Sequence, residues 1–337
     1  MLPCESMGPG ESAVSEELLN FIKEGAEFLV AGHKEPDGDC VGSQLALVSV
    51  LRRMGKKAVP CSAGPFKRTE IKSWEHLFTS APVKKDGARV ILVDCSEPDR
   101  TGTLAGFLEG LPVAVIDHHA AGNHSMSSFG TAGLRLIDGN APSTTFLVLK
   151  LIEALNLELI PEEAELLFFG LCTDTGFFRF VDGGGAKTFE AAARLIRCGA
   201  NPAAAYEAIH GGKSLDSRRL LALVLLRSES LFGGKLILSW EEYDETRRFG
   251  LEGRDSDNLY NLLQSVAGVQ AIVVIRQETP ERCTVGFRSK DWVDVRSIAE
   301  SFGGGGHRNA AGLSIAGTIA ELKPKIIEAF GQVFGSE

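Results

Sequence analysis

The sequence predicts an α/β protein: an N-terminal doubly wound, mostly parallel sheet joined by a helical linker to a smaller mixed α/β domain. Three observations lead there. Short continuous apolar runs at Glu27–Ala31, Arg89–Val93 and 112–116 have the character of strands covered on both faces. Segments of helical spacing alternate with them, as in βαβ units. Finally, the texture changes near residue 230, and 337 residues are too many for one ordinary core but suit two.

The elements come in order along the chain. The first strand breaks at Gly32. Residues 40–54 then place apolar side chains at helical spacing up to Gly55, a helix stop signal. Helical patterns recur at 143–155, at 161–172 with Pro161 suited to a first turn, and at 186–198. Residues 214–230 read as a connecting helix. Strands at 235–240, 271–275 and 284–288 come next, with helices at 258–266 and Val295–Ser301. The expected domains are 15–210 and 231–335, with 211–230 as linker. Eleven of the 38 glycines fall in four runs (183–185, 211–212, 233–234 and 303–306), where backbone must bend or approach something closely.

Composition removes several function classes. At 44% hydrophobic and 23% charged residues the chain is not broadly disordered. Its best uncharged apolar stretch, 220–226, has seven residues, against roughly 18 for a membrane span. Glu5 and Glu11 precede any basic residue, which is not a secretory signal. Seven cysteines without pairing intervals fit a reducing compartment, so a cytoplasmic protein is expected. The net charge is −9, and from Ser230 onward 12 basic residues face 15 acidic ones. That argues against a long nucleic acid as a tightly held partner, because neutralising phosphates needs a basic field. Small anions and the tip of a short strand remain.

The residues just past each predicted strand carry the chemistry. Glu27–Ala31 leads into His33, Asp37 and Asp39; Arg89–Val93 into Asp94; 112–116 into Asp117, His118 and His119. The helix near Cys172 leads into Asp174. Loops leaving the carboxyl ends of a doubly wound sheet converge on one crevice. Each residue alone has an ordinary explanation, since Asp caps helices and Asp-Gly makes turns. Together, converging carboxylates would repel one another by several kcal/mol unless cations neutralise them. Four carboxylates and two imidazoles from this set suit two divalent ions. Carboxylate with some imidazole points to Mn²⁺, with Mg²⁺ also open, and no thiolate set of zinc-finger spacing exists. Cys40, Cys95 and Cys172 neighbour these residues and read as small buried side chains facing away.

A second feature is Gly303-Gly304-Gly305-Gly306-His307-Arg308, continuing into Asn309 and Ala310-Ala311-Gly312. Successive glycine N–H groups can cradle an anion, with His307 and Arg308 adding donors. The Ala-Ala-Gly segment suits close helix packing. Arg288 and Lys290 are further anion-contact candidates, with a solvated surface charge as the alternative for either alone. No Gly-Lys-Ser/Thr comes after the run, so this is not a Walker loop, and no Gly-x-Gly-x₂-Gly comes after the first strand.

On these residues the chain resembles the DHH phosphoesterase superfamily, named for the triplet that stands here as Asp117-His118-His119. The first motif is His33, Asp37 and Asp39, the second Asp94, the fourth Asp174. The Gly-rich segment looks like the signature of the DHHA1 domain. Size and the C-terminal signature make the chain most similar to the nano-RNase (oligoribonuclease)/pAp-phosphatase group. RecJ-type exonucleases are longer, and family II pyrophosphatases lack the Gly-rich signature. The resemblance implies Mn²⁺-dependent cleavage of short oligonucleotides such as pApA to 5′-mononucleotides, and removal of the 3′-phosphate of pAp. Alternatives are a cyclic-di-AMP phosphodiesterase, a small-phosphate hydrolase such as a pyrophosphatase, or a catalytically silent nucleotide-binding module.

The resemblance also implies roles. His33 and Asp37 would hold one metal, Asp39, His118 and Asp174 the other, and Asp94 would bridge both. Asp117 would orient His118 from behind. His119 would face the scissile phosphate as hydrogen-bond donor or general acid. Arg288 and Gly303, Gly304, Gly305, Gly306, His307 and Arg308 would hold the nucleotide's far end across an inter-domain cleft, and a homodimer stays open. The chain departs from the group at Val181-Asp182-Gly183-Gly184-Gly185 and at Ala120-Ala121-Gly122-Asn123.

Overall fold

A computed structural model describes residues 14–83, 87–119, 134–250, 254–290 and 292–335. The chain divides into two units, Met1–Gly211 and Gly212–Glu337. The first unit runs α1 (Glu16–Glu24), β1 (Glu27–Ala31), α2 (Gly38–Arg53), β2 (Lys57–Cys61), β3 (Arg89–Val93), α3 (Ala105–Leu108), β4 (Val113–Asp117) and β5 (Arg135–Ile137). It ends with α4 (Thr144–Ala154), α5 (Pro161–Asp174), α6 (Ala186–Arg197) and α7 (Pro202–His210).

Its five strands lie in the order β2-β1-β3-β4-β5, every pair parallel. The apolar runs are continuous because both faces are covered. Phe28 and Val30 are buried with Leu47, Leu147 and Leu171 of the helices on one side, and Leu29 and Ala31 with Leu104 and Leu108 on the other. From β1 the chain passes to β2 on one side, while β3 lies on the other. The strand order therefore switches between β1 and β3, where the crevice of such sheets opens. His33 to Asp39 leave β1 and Asp94 leaves β3, so topology alone brings these groups together.

The second unit comprises α8 (Leu215–Leu226), β6 (Glu229–Leu231), β7 (Leu236–Glu241), α9 (Tyr243–Phe249), α10 (Ser256–Gln264), β8 (Ala271–Thr279) and β9 (Arg282–Ser289). After these come α11 (Val295–Ser301), β10 (Gly305–His307), β11 (Ala310–Ala316) and α12 (Ile319–Phe334). The six-stranded sheet has the order β10-β11-β9-β8-β7-β6 and is mixed, since β7 and β8 pair parallel and the rest antiparallel. Phe287 and Phe330 are buried on one face; Leu220, Val224, Ile237 and Leu259 are buried on the other.

Two expectations change here. The helix at 214–230 ends at Leu226, and its Leu220 and Val224 belong to the second unit's core. Ala310-Ala311-Gly312 does not pack as helix; it opens β11, paired with β10 and β9. Small residues are needed there because two backbones approach closely. A Cβ on Gly306 would lie 2.6 Å from the Ala310 carbonyl oxygen, and one on Gly304 would lie 2.6 Å from that of Gly312.

Candidate functional site

The cluster is built from strand ends and helix starts. Asp37 caps α2, accepting from the Cys40 amide at 3.1 Å, which sets Asp39 in the first turn with 1% exposure. Asp94 leaves β3 with φ of +60° and 2% exposure. That left-handed backbone is uncommon for a non-glycine residue and recurs where structure is held for function. Asp117 is the last residue of β4, and Asp174 the last of α5.

The Asp94 carboxylate is the hub. Its Oδ2 lies 3.2 Å from His33 Nε2, and its Oδ1 lies 3.7 Å from both His118 Nε2 and His119 Nδ1. His118 Nε2 is also 3.4 Å from Asp174 and 4.0 Å from Asp39, and His33 Nε2 is 3.9 Å from Asp37. Three groups could therefore hold a cation, each with ligand atoms within 4.8 Å: His33–Cys40–Asp94, Asp94–His118–His119 and Asp39–His118–Asp174.

The imidazoles are oriented from behind. His33 Nδ1 sits 2.8 Å from the Lys34 carbonyl oxygen and His118 Nδ1 3.3 Å from that of Ala141, so both turn Nε2 to the carboxylates. The expectation that Asp117 orients His118 is corrected by this geometry. Asp117 Oδ1 instead accepts from the His119 amide at 3.1 Å and lies 2.8 Å from its Nδ1, while its buried Oδ2 has no partner among the described residues. Asp117 leads straight into His118 and His119, and the tight turn brings the carboxylate under the second ring.

Sequence reasoning missed the start of α4. Asp39 accepts from the amides of Thr144 and Thr145 at 2.6 and 2.8 Å and from the Thr145 hydroxyl at 2.7 Å. The Thr144 hydroxyl donates to Asp94 at 3.0 Å. The signal available was Ser143, a helix cap directly before two threonines. Cys40 also differs from expectation. Its thiol faces His33 and Asp94 rather than away, and burial pushes it up to about 12.

Asp39 and Asp174 behave as acids short of countercharge. Burial, then the charges of Asp94 and Asp174, push Asp39 well above the ordinary carboxylate range. Burial likewise lifts Asp174 to about 6, against the pull of His118. Burial works against Asp37 too, but His33 and the Cys40 amide bring it down to about 2. Burial opposes charge on His33, yet Asp37 and Asp94 outweigh it and raise its pKa; the Asp117 contact raises that of His119. Oxygen and imidazole donors at this spacing fit divalent cations. Beside Asp174 opens a pocket of about 770 Å³, lined among others by Phe146, Lys150, Phe180 and Lys187.

In the second unit the glycine run is only partly available. The amides of Gly303 and Gly304 donate to the carbonyls of Glu300 and Ala299, closing α11. They therefore do not form the expected anion nest. Arg308 reaches the Trp292 carbonyl at 3.3 Å, and Lys290 donates to that of Gln264. Arg288 and His307 lie in one row across the sheet, on the same face, each in register with Ala310. The Ala120–Asn123 departure lies outside the described residues.

Residues 27–171 match the pattern described as DHH family, N-terminal domain, and residues 234–336 match the DHHA1 domain. With the fold and cluster above, these matches make the chain a hydrolase of phosphoester bonds. It belongs to the DHH family, and is 32% identical over 317 residues to the bifunctional oligoribonuclease and PAP phosphatase NrnA of Thermus thermophilus, covering 93% of this chain and 91% of that protein. It is 26% identical to the cyclic-di-AMP phosphodiesterase GdpP of Bacillus subtilis over 94% of this chain, but spans only 50% of that longer protein. The crystal structure of an exopolyphosphatase-related protein from Bacteroides fragilis shares the fold, with a TM-score of 0.77, 20% identity, and 95% and 94% of the two chains covered. Among the described residues no helix is long and apolar enough to cross a membrane.

Proposed function

We propose that this chain hydrolyses short oligonucleotides of the pApA type to 5′-mononucleotides and removes the 3′-phosphate of pAp, using two divalent cations, Mn²⁺ in preference to Mg²⁺. The observation that carries the reading is the divided Asp94 carboxylate, with one oxygen toward His33 and the other toward His118 and His119. His33 and Asp37 would hold one ion, Asp39, His118 and Asp174 the other, with Asp94 between them. When bound, such ions would supply Lewis acidity and lower the pKa of a bound water. The similarity to NrnA supports the substrate class.

The remaining roles belong to the chain. Thr144 and Thr145 hold Asp39 and Asp94 at the start of α4. Asp117 steadies the His119 ring and favours its charged form, leaving Nε2 to donate to a phosphoryl oxygen or the leaving group. The pocket beside Asp174 has room for a nucleoside. Arg288 and His307 would bind a phosphate of the substrate.

The test is hydrolysis of pAp, pApA, a five-nucleotide RNA, cyclic-di-AMP and pyrophosphate with Mn²⁺, Mg²⁺ or EDTA. AMP released from pApA and pAp with Mn²⁺, none with EDTA, and intact pyrophosphate are expected. Turnover of cyclic-di-AMP alone would transfer the reading to that substrate, and turnover of pyrophosphate alone would overturn it.

A further inference from the structure

Outside the carboxylate cluster, two arginines share one aromatic ring. Tyr260 on α10 is 5% exposed, and its hydroxyl has no hydrogen-bond partner among the described residues. Arg288 Cζ lies 4.6 Å from the ring centroid and Arg276 Cζ lies 5.9 Å from it, both within cation–π range. Their other partners differ. Arg276 is neutralised, with Nε 3.5 Å from Glu241 and Nη2 donating to Ser256 at 3.1 Å. Arg288 donates from Nη1 to the Phe287 carbonyl at 2.9 Å. That bond and the ring are its hydrogen-bond and cation–π contacts among the described residues, and no carboxylate pairs with it there. A guanidinium held this way keeps its remaining donors for an anion.

Register places that anion. Arg288 pairs with Ala310, and Ala310 with His307, so all three share one sheet face. The next row on that face is Gly286, Gly312 and Gly305, which carry no side chains. A Cβ on Gly305 would meet nothing within 4 Å. At Gly286 it would lie 2.0 Å from the Tyr260 hydroxyl oxygen. Only a glycine admits the ring in this position.

We infer that Tyr260 is a positioning residue, which aims Arg288 at a terminal phosphate of the nucleotide substrate, and that Gly286 is the gap that seats it. The inference rests on the reading of Arg288 as a substrate contact. An arginine alone must give up side-chain rotamer freedom on binding. One already laid on a buried ring has less to lose, so affinity rises while the chemical step is untouched.

The test is steady-state kinetics on pApA and on ApA, which lacks the terminal phosphate, with Mn²⁺. Tyr260→Leu and Gly286→Ala should each raise KM for pApA about tenfold, with kcat unchanged and KM for ApA unmoved. Tyr260→Phe should restore affinity in the Gly286→Ala background, because the nearest remaining ring atom, Cζ, lies 3.2 Å from the added Cβ. Leu263→Ala, a core change on the same helix, should lower Tm without moving KM. Should Tyr260→Leu fail to fold, the Gly286→Ala single and double variants decide alone. If Arg288→Ala leaves KM unchanged, the substrate role of Arg288 falls and the inference with it. If Arg288→Ala raises KM while Gly286→Ala and Tyr260→Leu do not, only the inference falls. An equal rise for ApA would reduce Tyr260 to packing and also overturn it.

Discussion

Several places in this molecule bury acidic side chains, Glu163 beside Arg53 among them, and two of these places solve the cost differently. In the second unit Glu241 is 2% exposed, with Arg254 Nε at 2.9 and 3.1 Å, the Thr246 hydroxyl at 2.7 Å and Arg276 at 3.5 Å. Arg254 also reaches Glu278 at 3.0 Å. In the first unit Asp39 and Asp94 are buried as deeply, but their partners are threonine donors and imidazoles. A carboxylate matched by guanidinium is finished as a structural element. Carboxylates that share a few imidazoles stay electrostatically open, a set that could hold a cation.

This contrast can be broken at graded points. The largest effect should come from Asp94→Ala, which should reduce turnover of pApA at least about a thousandfold. Because it also relieves like-charge repulsion, Tm measured in EDTA should not fall; a large fall would make Asp94 a structural residue like Glu241. Next is Glu241→Ala, which leaves Arg276 without its carboxylate and Arg254 with Glu278 alone, and should cost about 3 kcal/mol in urea unfolding. Its Mn²⁺ affinity, by titration calorimetry, should stay at the wild-type value.

Gly170→Ala tests the floor beneath the cluster. The added Cβ would stand 2.4 Å from Thr145 Cγ2 and 3.1 Å from Asp39 Cα. Overpacking of that kind costs about 1–3 kcal/mol, and here metal affinity should fall along with Tm. The smallest effect is Thr144→Val, which deletes the bond to Asp94 but keeps the Thr144 amide on Asp39. A loss of about 1 kcal/mol in kcat/KM, roughly fivefold, is expected, with Tm little changed.

The first unit's strands β1 and β3 were legible because burial on both faces leaves a continuous apolar run. Strand β2 was not: Lys57 and Pro60 break the run, as an edge position allows. The β10–β11 hairpin was hidden because glycine carries no periodicity, so a run of four reads as a loop. Helix α12 contains Pro324, which obscured a pattern that the Thr318 cap and Glu321 otherwise announce.

By itself the sequence determined the α/β class, the two-part organisation and the set of acids and histidines that meet at the strand ends. Those are largely local signals, since most motif residues come within a few residues of the apolar run that carries them, with Asp174 closing a helix instead. Only the tertiary structure decided that Asp117 serves His119, that Ala141 orients His118, that Thr144 and Thr145 hold the carboxylates, and that Cys40 faces inward. These contacts use backbone carbonyls, amides and hydroxyls, groups that most residues offer. Which of them arrives at the site depends on how α4 meets the end of β3, and no short stretch of sequence encodes that meeting.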